Sequence, residues 1–168
     1  KNSTQGGIQN VMPVKMLYAD YYDLNPGVGG IAASQVFRVS SIHDPNFTGV
    51  GHQPLGHDQL GDLYERYQVY KVDFEIEASG LDINSLQRIG YRVSDSSSVS
   101  TDPRALYENG NGEFAVISPY GNNGRSFRGS VWVNEVHGVS YKQYMSNDDY
   151  GANFGSNPVE EAYLHVMA

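Results

Sequence analysis

The sequence predicts an all-β chain of antiparallel strands, and three observations carry that prediction. Short runs that alternate apolar with polar residues recur along nearly the whole length, separated by turn residues at the spacing of an all-β domain. Charged residues make up only 18% of the chain while it holds 19 Gly and 13 Tyr, a usage that suits turns and short strands better than long helices. Helical signals are confined to two short connectors at most, which excludes an α/β or α+β arrangement. At 168 residues the chain suits a single domain, 1–168, able to bury roughly 70% of its unfolded surface.

The first expected strand, Val11–Leu24, reads VMPVKMLYADYYDL and ends in the loop Asn25–Gly30. Pro13 stands near its start, where a missing N–H is tolerable. The second, Ala33–Ile42, places Phe37 and Val39 on one face and Arg38 and Ser40 on the other. After a polar connector comes the clearest strand, Tyr67–Ala78, in which Tyr70, Val72, Phe74, Ile76 and Ala78 share a face. Lys71, Asp73, Glu75 and Glu77 point the other way, so one side is core and one is wet. Arg88–Ser94 is a shorter strand. Asp102–Tyr107 predicts a brief helix with Asp102 as N-cap and Pro103 at the first helical position.

Glu113–Ser118 and Arg125–Asn134 are two further strands around the turn Tyr120–Gly124, the second with Phe127, Val131 and Val133 on its core face. A long loop, Glu135–Pro158, precedes the last strand, Glu160–Ala168, in which Ala162, Leu164 and Val166 alternate with Tyr163, His165 and Met167. Seven antiparallel strands, long unequal loops and no internal repeat favour a Greek-key sandwich or jelly roll over a propeller.

A net charge of -8 argues against a general nucleic-acid binder, because neutralising phosphate takes clustered Lys and Arg and the longest basic cluster is Arg125 with Arg128. The chain has no Cys, so neither disulfides nor thiolate metal sites contribute. No apolar run approaches the ~18 residues that a membrane-spanning helix needs, and no signal peptide stands at Lys1; a soluble protein without a membrane partner is expected. There is no nucleophile elbow, HExxH, P-loop or Rossmann fingerprint. Gly27-Val28-Gly29-Gly30 has no helix behind it to hold a phosphate. The expectation is a protein that is not an enzyme and has no catalytic residue.

Two groups have the donor types of a metal site. His52, His57 and Asp58, with His43 and Asp44 nearby, do not match the spacing of a compact zinc motif. Asp148 and Asp149, with Asn147 and Asn153, offer the hard oxygen donors of a structural Ca ion, though such residues as readily make a solvated turn. No other cofactor is expected. Tyr18, Tyr21, Tyr22, Tyr64, Tyr67, Tyr141, Tyr144 and Tyr150 exceed what one core of this size hides, which fits either edge-of-core packing or contact with a partner.

The stretch Asp44–Gly80 carries Thr48-Gly49-Val50-Gly51-His52-Gln53-Pro54, then Tyr64 and Tyr67-Gln68-Val69, then the clearest strand. This order resembles the passage from strand C to strand D in capsid (coat) proteins of small circular Rep-encoding single-stranded DNA viruses, the circovirus-like group. There a His-Gln-Pro segment follows a Thr-Gly-x-Gly turn and leads through a Tyr-containing connector into a strand. Tyr150–Pro158, followed by an aromatic-containing strand, is similar to that family's approach to strand H. The resemblance covers nearly the whole chain, and the TGVGHQP passage is its specific part.

The resemblance implies an antiparallel jelly-roll β-sandwich of the viral capsid type with short connecting helices. In its lettering B is Val11–Leu24, C is Ala33–Ile42, D is Tyr67–Ala78, E is Arg88–Ser94, F is Glu113–Ser118, G is Arg125–Asn134 and H is Glu160–Ala168. Strand I, which lies between B and D, and the family's basic N-terminal arm have no counterpart, so the sequence is expected to be clipped at both ends.

It further implies a self-assembling structural protein that forms an icosahedral homo-oligomer of roughly sixty or more copies around single-stranded DNA. Its place is the virion, with assembly in the host nucleus or cytoplasm and an unknown host receptor. Thr48, Gly49, Gly51, His52, Gln53, Pro54, Tyr64 and Tyr67 become candidates for subunit contact. The face of the B-I-D-G sheet turned to the particle interior would carry Lys15, Lys71, Arg128 and Trp132 towards the packaged nucleic acid, without sequence preference, while Asp73 and Glu75 on that face oppose phosphate. The alternatives are a shell protein of a small RNA virus and a jelly-roll carbohydrate-binding lectin, since fold alone does not name the ligand.

Overall fold

The computed structural model describes residues 9–27, 32–80, 86–98, 100, 102, 108, 110–117 and 124–168. These contain eight strands: β1 (Ser34–Arg38), β2 (Arg66–Tyr67), β3 (Lys71–Ala78), β4 (Gln87–Ser94), β5 (Gly112–Ile117), β6 (Arg125–Trp132), β7 (Ala152–Asn153) and β8 (Tyr163–Met167). The helices are short: α1 (His57–Gly61), α2 (Val133–Val136), α3 (Tyr141–Ser146) and one 3-10 turn at Asp148–Tyr150. Every strand pairing is antiparallel. The chain is mostly β with a few short helices.

A four-stranded sheet runs in the order β1-β8-β4-β5, and β3 pairs with β6 in a separate two-stranded sheet. In β8, Leu164 lies opposite Phe37 of β1 and opposite Val93 of β4, and all three belong to the core. The other face of β8 is covered as well, for Tyr163, His165 and Met167 are buried. The two sheets meet where Phe74 of β3 stands edge-on to Tyr91 of β4 at 4.8 Å, and Phe127 of β6 to the same ring at 5.8 Å. Gly129, opposite Phe74 in the ladder, leaves the space that this ring fills; a Cβ there would collide with it.

Alternation is clearest in β3, where Val72, Phe74 and Ile76 turn inward while Lys71, Asp73, Glu75 and Glu77 turn to solvent. Phe37 and Val39 also pack inward as their parity predicts.

Five expectations need correcting. Val11–Leu24 is not a strand: residues 9–26 have no ladder partner among the described residues, and Val11, Leu17 and Tyr21 are exposed. A segment becomes a strand only when a neighbour takes up its backbone hydrogen bonds, and no described strand lies alongside.

Second, Tyr67–Ala78 is not continuous. Tyr67 belongs to β2, which pairs with β7, and the connection to β3 is held by helix α3: Gln68 donates to the Tyr144 carbonyl at 2.7 Å and the Tyr144 hydroxyl donates to the Val69 carbonyl at 2.5 Å. Tyr70 consequently leaves the core face and stands partly exposed.

Third, β6 stops at Trp132, and Val133 and Asn134 open helix α2, with Val133 fully buried. Fourth, Glu135–Pro158 is not a bare loop but holds α3, the 3-10 turn and β7. Ser140 accepts from the Gln143 N–H and Gln143 reaches back to the Ser140 N–H, a capping box that the S-x-x-Q spacing announces. Fifth, three short helices therefore replace the expected two connectors among the described residues. The helix expected at Asp102–Tyr107 and the turn at Tyr120–Gly124 fall almost wholly outside the described residues.

Tyr144 is the keystone of this arrangement, fully buried in the core cluster with Val39, Val133, Ala162 and Leu164. Burial also pushes its hydroxyl well above the ordinary tyrosine range. Tyr144→Phe, which leaves the Val69 carbonyl without its donor, is expected to cost about 1–2 kcal/mol, and Tyr144→Ala about 3–5 kcal/mol. Urea unfolding followed by circular dichroism measures both.

Candidate functional site

The segment Thr48–Pro54 is built around a side chain that sequence reasoning passed over. Asn46 is buried, and its Oδ1 accepts from the Gln35 amide at 3.0 Å, the Thr48 N–H at 3.0 Å and the Thr48 hydroxyl at 2.8 Å. Its Nδ2 donates to the Tyr22 hydroxyl. Thr48 thus closes a local Asx turn, and Gly49, at φ 75°, makes the bend that follows in the left-handed region. Asn in a polar loop is the one sequence signal that pointed to this residue.

Gly51 permits a close approach: a Cβ on it would lie 2.7 Å from both the Tyr18 hydroxyl and the Asn46 Cβ. His52 is exposed, with Nε2 2.8 Å from the Ala19 carbonyl, Nδ1 3.0 Å from the Gln53 carbonyl, and its ring stacked on Tyr18 at 4.6 Å. Gln53 meets His43 Nδ1 at 3.0 Å, and the buried Pro54 offers its carbonyl to the His57 N–H at 3.1 Å. The motif residues therefore act first within the chain, holding residues 18–22 against the loop.

Of the two connector tyrosines, only Tyr67 is tied inward by its side chain. Tyr64 closes the end of α1, its N–H donating to the Leu60 carbonyl at 2.8 Å, and its buried hydroxyl has no protein partner among the described residues. The Tyr67 hydroxyl sits 2.9 Å from the Ser41 hydroxyl and donates to the Ser156 carbonyl at 2.9 Å, with Ser41 donating to Asn157 Oδ1 at 2.7 Å. Burial raises the Tyr67 pKa, so the hydroxyl stays protonated as a donor.

The outward face of β3 and β6 brings Lys15, Lys71, Arg128 and Trp132 together. Lys71 lies opposite Trp132 in the ladder and Glu75 opposite Arg128. Each cation has a carboxylate beside it: Arg128 Nη2 is 2.5 Å and Nε 2.7 Å from Glu75 Oε1, Lys71 Nζ is 3.0 Å from Asp73, and Lys15 Nζ is 3.9 Å from Asp73. Ser130 also donates to Asp73, and these contacts, the Ser130 bond first, hold its carboxyl below the usual range. Three cations against Asp73, Glu75 and Glu77 leave this face without the surplus positive charge that phosphate needs.

What the face does offer is aromatic area. Tyr70, Trp132 and Tyr141 contact one another at 6.2–6.4 Å between ring centres, with Lys71 Nζ 5.7 Å above the Trp132 ring. All three rings are partly exposed, as is Met145 one turn along α3. Pattern reading missed Tyr70 because its parity assigns it to the core and the break before β3 turns it outward.

Asp148 and Asp149 stand apart from both regions. Asp148 pairs with Arg66 Nη2 at 3.5 Å, and the Asp149 N–H donates to Asn147 Oδ1 at 3.1 Å, the turn that its composition predicts. Among the described residues no group of three or more His, Asp or Glu side chains converges to hold a metal ion.

Removing the Asn46 bracket is the direct test of this construction. Asn46→Ala removes the four hydrogen bonds that a buried side chain makes to Gln35, Thr48 and Tyr22 and is expected to cost about 2–3 kcal/mol in urea unfolding, whereas Val50→Ala, at an exposed position in the same loop, is expected to change stability by less than about 0.5 kcal/mol. Equal losses for the two would sink it. No family model, curated protein or solved structure matches this chain.

Proposed function

We propose that this chain is the jelly-roll shell subunit of a small icosahedral virus and that it encloses single-stranded DNA. The observation that carries the reading is strand order. With B, I, D and G in one sheet, the remaining strands C, H, E and F form the other, and in that lettering the four-stranded sheet runs C-H-E-F while β3 and β6 are D and G. Six strands stand in that order, and three of their four pairings join strands that are not consecutive in the chain, an arrangement with few alternatives.

Two further features support it. The edge of β3 away from β6 has no strand beside it among the described residues, and a cleft of about 2520 Å³ is lined by β3 together with residues 10–27. Tyr70, Trp132 and Tyr141 give an exposed aromatic cluster of the composition that dominates subunit contacts and base stacking. The protein performs no chemical step in this reading.

Negative-stain microscopy tests it: uniform spheres are expected at about physiological salt, where repulsion between subunits of net charge -8 is screened, and isolated small particles at high protein concentration count against a shell and towards a carbohydrate-binding domain, which the same aromatic cluster would serve. Nucleic acid extracted from the spheres should be digested by DNase and not by RNase; the reverse result makes it an RNA-virus shell. Gln53→Ala is expected to abolish spheres while leaving a folded monomer. Trp132, the only Trp of the chain, reports the remaining step. Its emission should be quenched by a thymidine oligonucleotide through base stacking, with little dependence on salt because the cations of this face are already paired, and Tyr141→Ala should reduce that quenching several-fold.

A further inference from the structure

His52 presents a hydrogen-bonding problem that only one protonation state solves. Both ring nitrogens face carbonyl oxygens, Nε2 that of Ala19 at 2.8 Å and Nδ1 that of Gln53 at 3.0 Å. A neutral imidazole has one N–H, so either tautomer sets a nitrogen lone pair against a carbonyl oxygen; the imidazolium donates to both. Its other surroundings favour the cation. Tyr18 stacks on the ring at 4.6 Å, and Asp20, two residues along, is an ionised carboxylate.

We propose that protonated His52 is a latch that fastens residues 18–22 to the Thr48–Pro54 loop, and that its deprotonation releases the segment 9–27 from the cleft it borders. That segment has no strand pairing among the described residues before Gly27, and Val11, Leu17 and Tyr21 are exposed along it. Apart from the exposed Lys15–Asp73 pair at 3.9 Å, its polar and ring contacts lie around the latch: the Ala19–His52 bond, the Asn46–Tyr22 bond, and the edge contacts of Tyr18 and Tyr22 with Phe37 at 6.3 and 5.7 Å. Beneath it the cleft is lined by core side chains of both sheets, including Phe37, Val72, Phe74 and Val166. Release of the segment therefore changes access to that interior. The latch lies within one chain and stands whether or not the chain forms shells.

The charged and titratable groups around His52 fix the direction of the response. From the segment come Tyr18, Asp20 and Tyr22. Asp20 accepts from both hydroxyls and is held below the usual carboxylate range, the Tyr22 bond being the main cause. The Tyr22 hydroxyl is pushed up to about 12 and that of Tyr18 higher still, both chiefly by burial, so neither titrates near neutrality. From the loop side His43 lies one side chain away, through Gln53, and beyond it Asp44 is paired with Arg38 at 3.2 Å.

The carbonyls of Gln53 and then Ala19 raise the pKa of His52 above the ordinary 6.5. A docked pKa above the undocked one means that docking is favoured below the undocked value and lost as pH rises through the docked one. His137 and His165 are pushed down by burial, so their titration falls on the acid side of 6.5 and is separable.

The test is backbone 15N relaxation across residues 9–27 in the whole chain as a function of pH, together with the ring titration of His52 by NMR. His52 is expected to titrate above 6.5, and the order parameters of residues 18–22 to fall from those of rigid backbone to those of a flexible segment as pH rises through that titration. His52→Gln should give low order parameters without pH dependence above 6.5, while His43→Gln keeps the native profile. A His52 titration at or below 6.5, a flat native profile, or an unchanged profile in His52→Gln overturns the proposal. Should His52→Gln fail to fold, the native ring titration and relaxation profile decide alone.

Discussion

β8 takes backbone hydrogen bonds on both edges, from β1 on one side and β4 on the other, and much of the architecture follows from that double pairing. It joins residues 34–38 to residues 163–167 across most of the chain, so a large loop-closure entropy stands against it. Burial on both faces offsets that cost: Leu164 and Val166 pack with Phe37, Tyr91 and Val93, while Tyr163, His165 and Met167 are hidden on the reverse. His165 fits because burial keeps its ring neutral, its pKa lowered, with Nε2 2.9 Å from the Ser96 carbonyl. The pairing continues past the strand, where the Val39 N–H donates to the Ala162 carbonyl and the Ala162 N–H to the Ser40 hydroxyl.

Where the backbone leaves the ladders, polar side chains take over the pairing of its groups. Arg38 lies opposite Tyr163 and reaches outward to Glu161, to the Asp44 carboxylate and to the carbonyls of Asp44 and Asn46, with its guanidinium 4.7 Å over the Phe47 ring. One half-buried guanidinium thereby fixes the approach to β8 and the loop after β1 together. Such a group is costly to leave unpartnered, which makes its geometry specific even where its net contribution is modest. Asn46 does the same work one turn later, and Tyr67 with Ser41 ties that region to Ser156 and Asn157. A chain with long irregular connections is ordered through these brackets rather than through apolar area alone.

The same economy shapes the exposed face of β3 and β6. Cross-strand pairing sets Arg128 on Glu75 and Lys71 beside Asp73, so cations that could meet an external anion are first engaged by the sheet itself. Exposed pairs of this kind exchange partners at little cost, and the aromatic area of Tyr70, Trp132 and Tyr141 is what remains available to a ligand or a neighbouring chain.

By itself the sequence determined the elements whose signal is local. Alternation identified β3, β4, β5, β6 and β8, and in β3 and β6 the inward Val72, Phe74, Ile76, Phe127 and Val131, because a period of two marks a half-buried strand without reference to its partner. The bend at Gly49 is a local signal as well, since Gly at a positive φ acts over a few residues, whereas the Asn46 Asx turn beside it was passed over. Only the tertiary structure decided that Val11–Leu24 has no strand partner among the described residues, that Tyr70 turns outward and that β6 yields to α2 at Val133, because each depends on what stands next to the segment. It also decided that His52 faces two carbonyls, one of them 33 residues away in sequence. A side chain's type states which bonds it can make, and the fold alone states which groups are within reach.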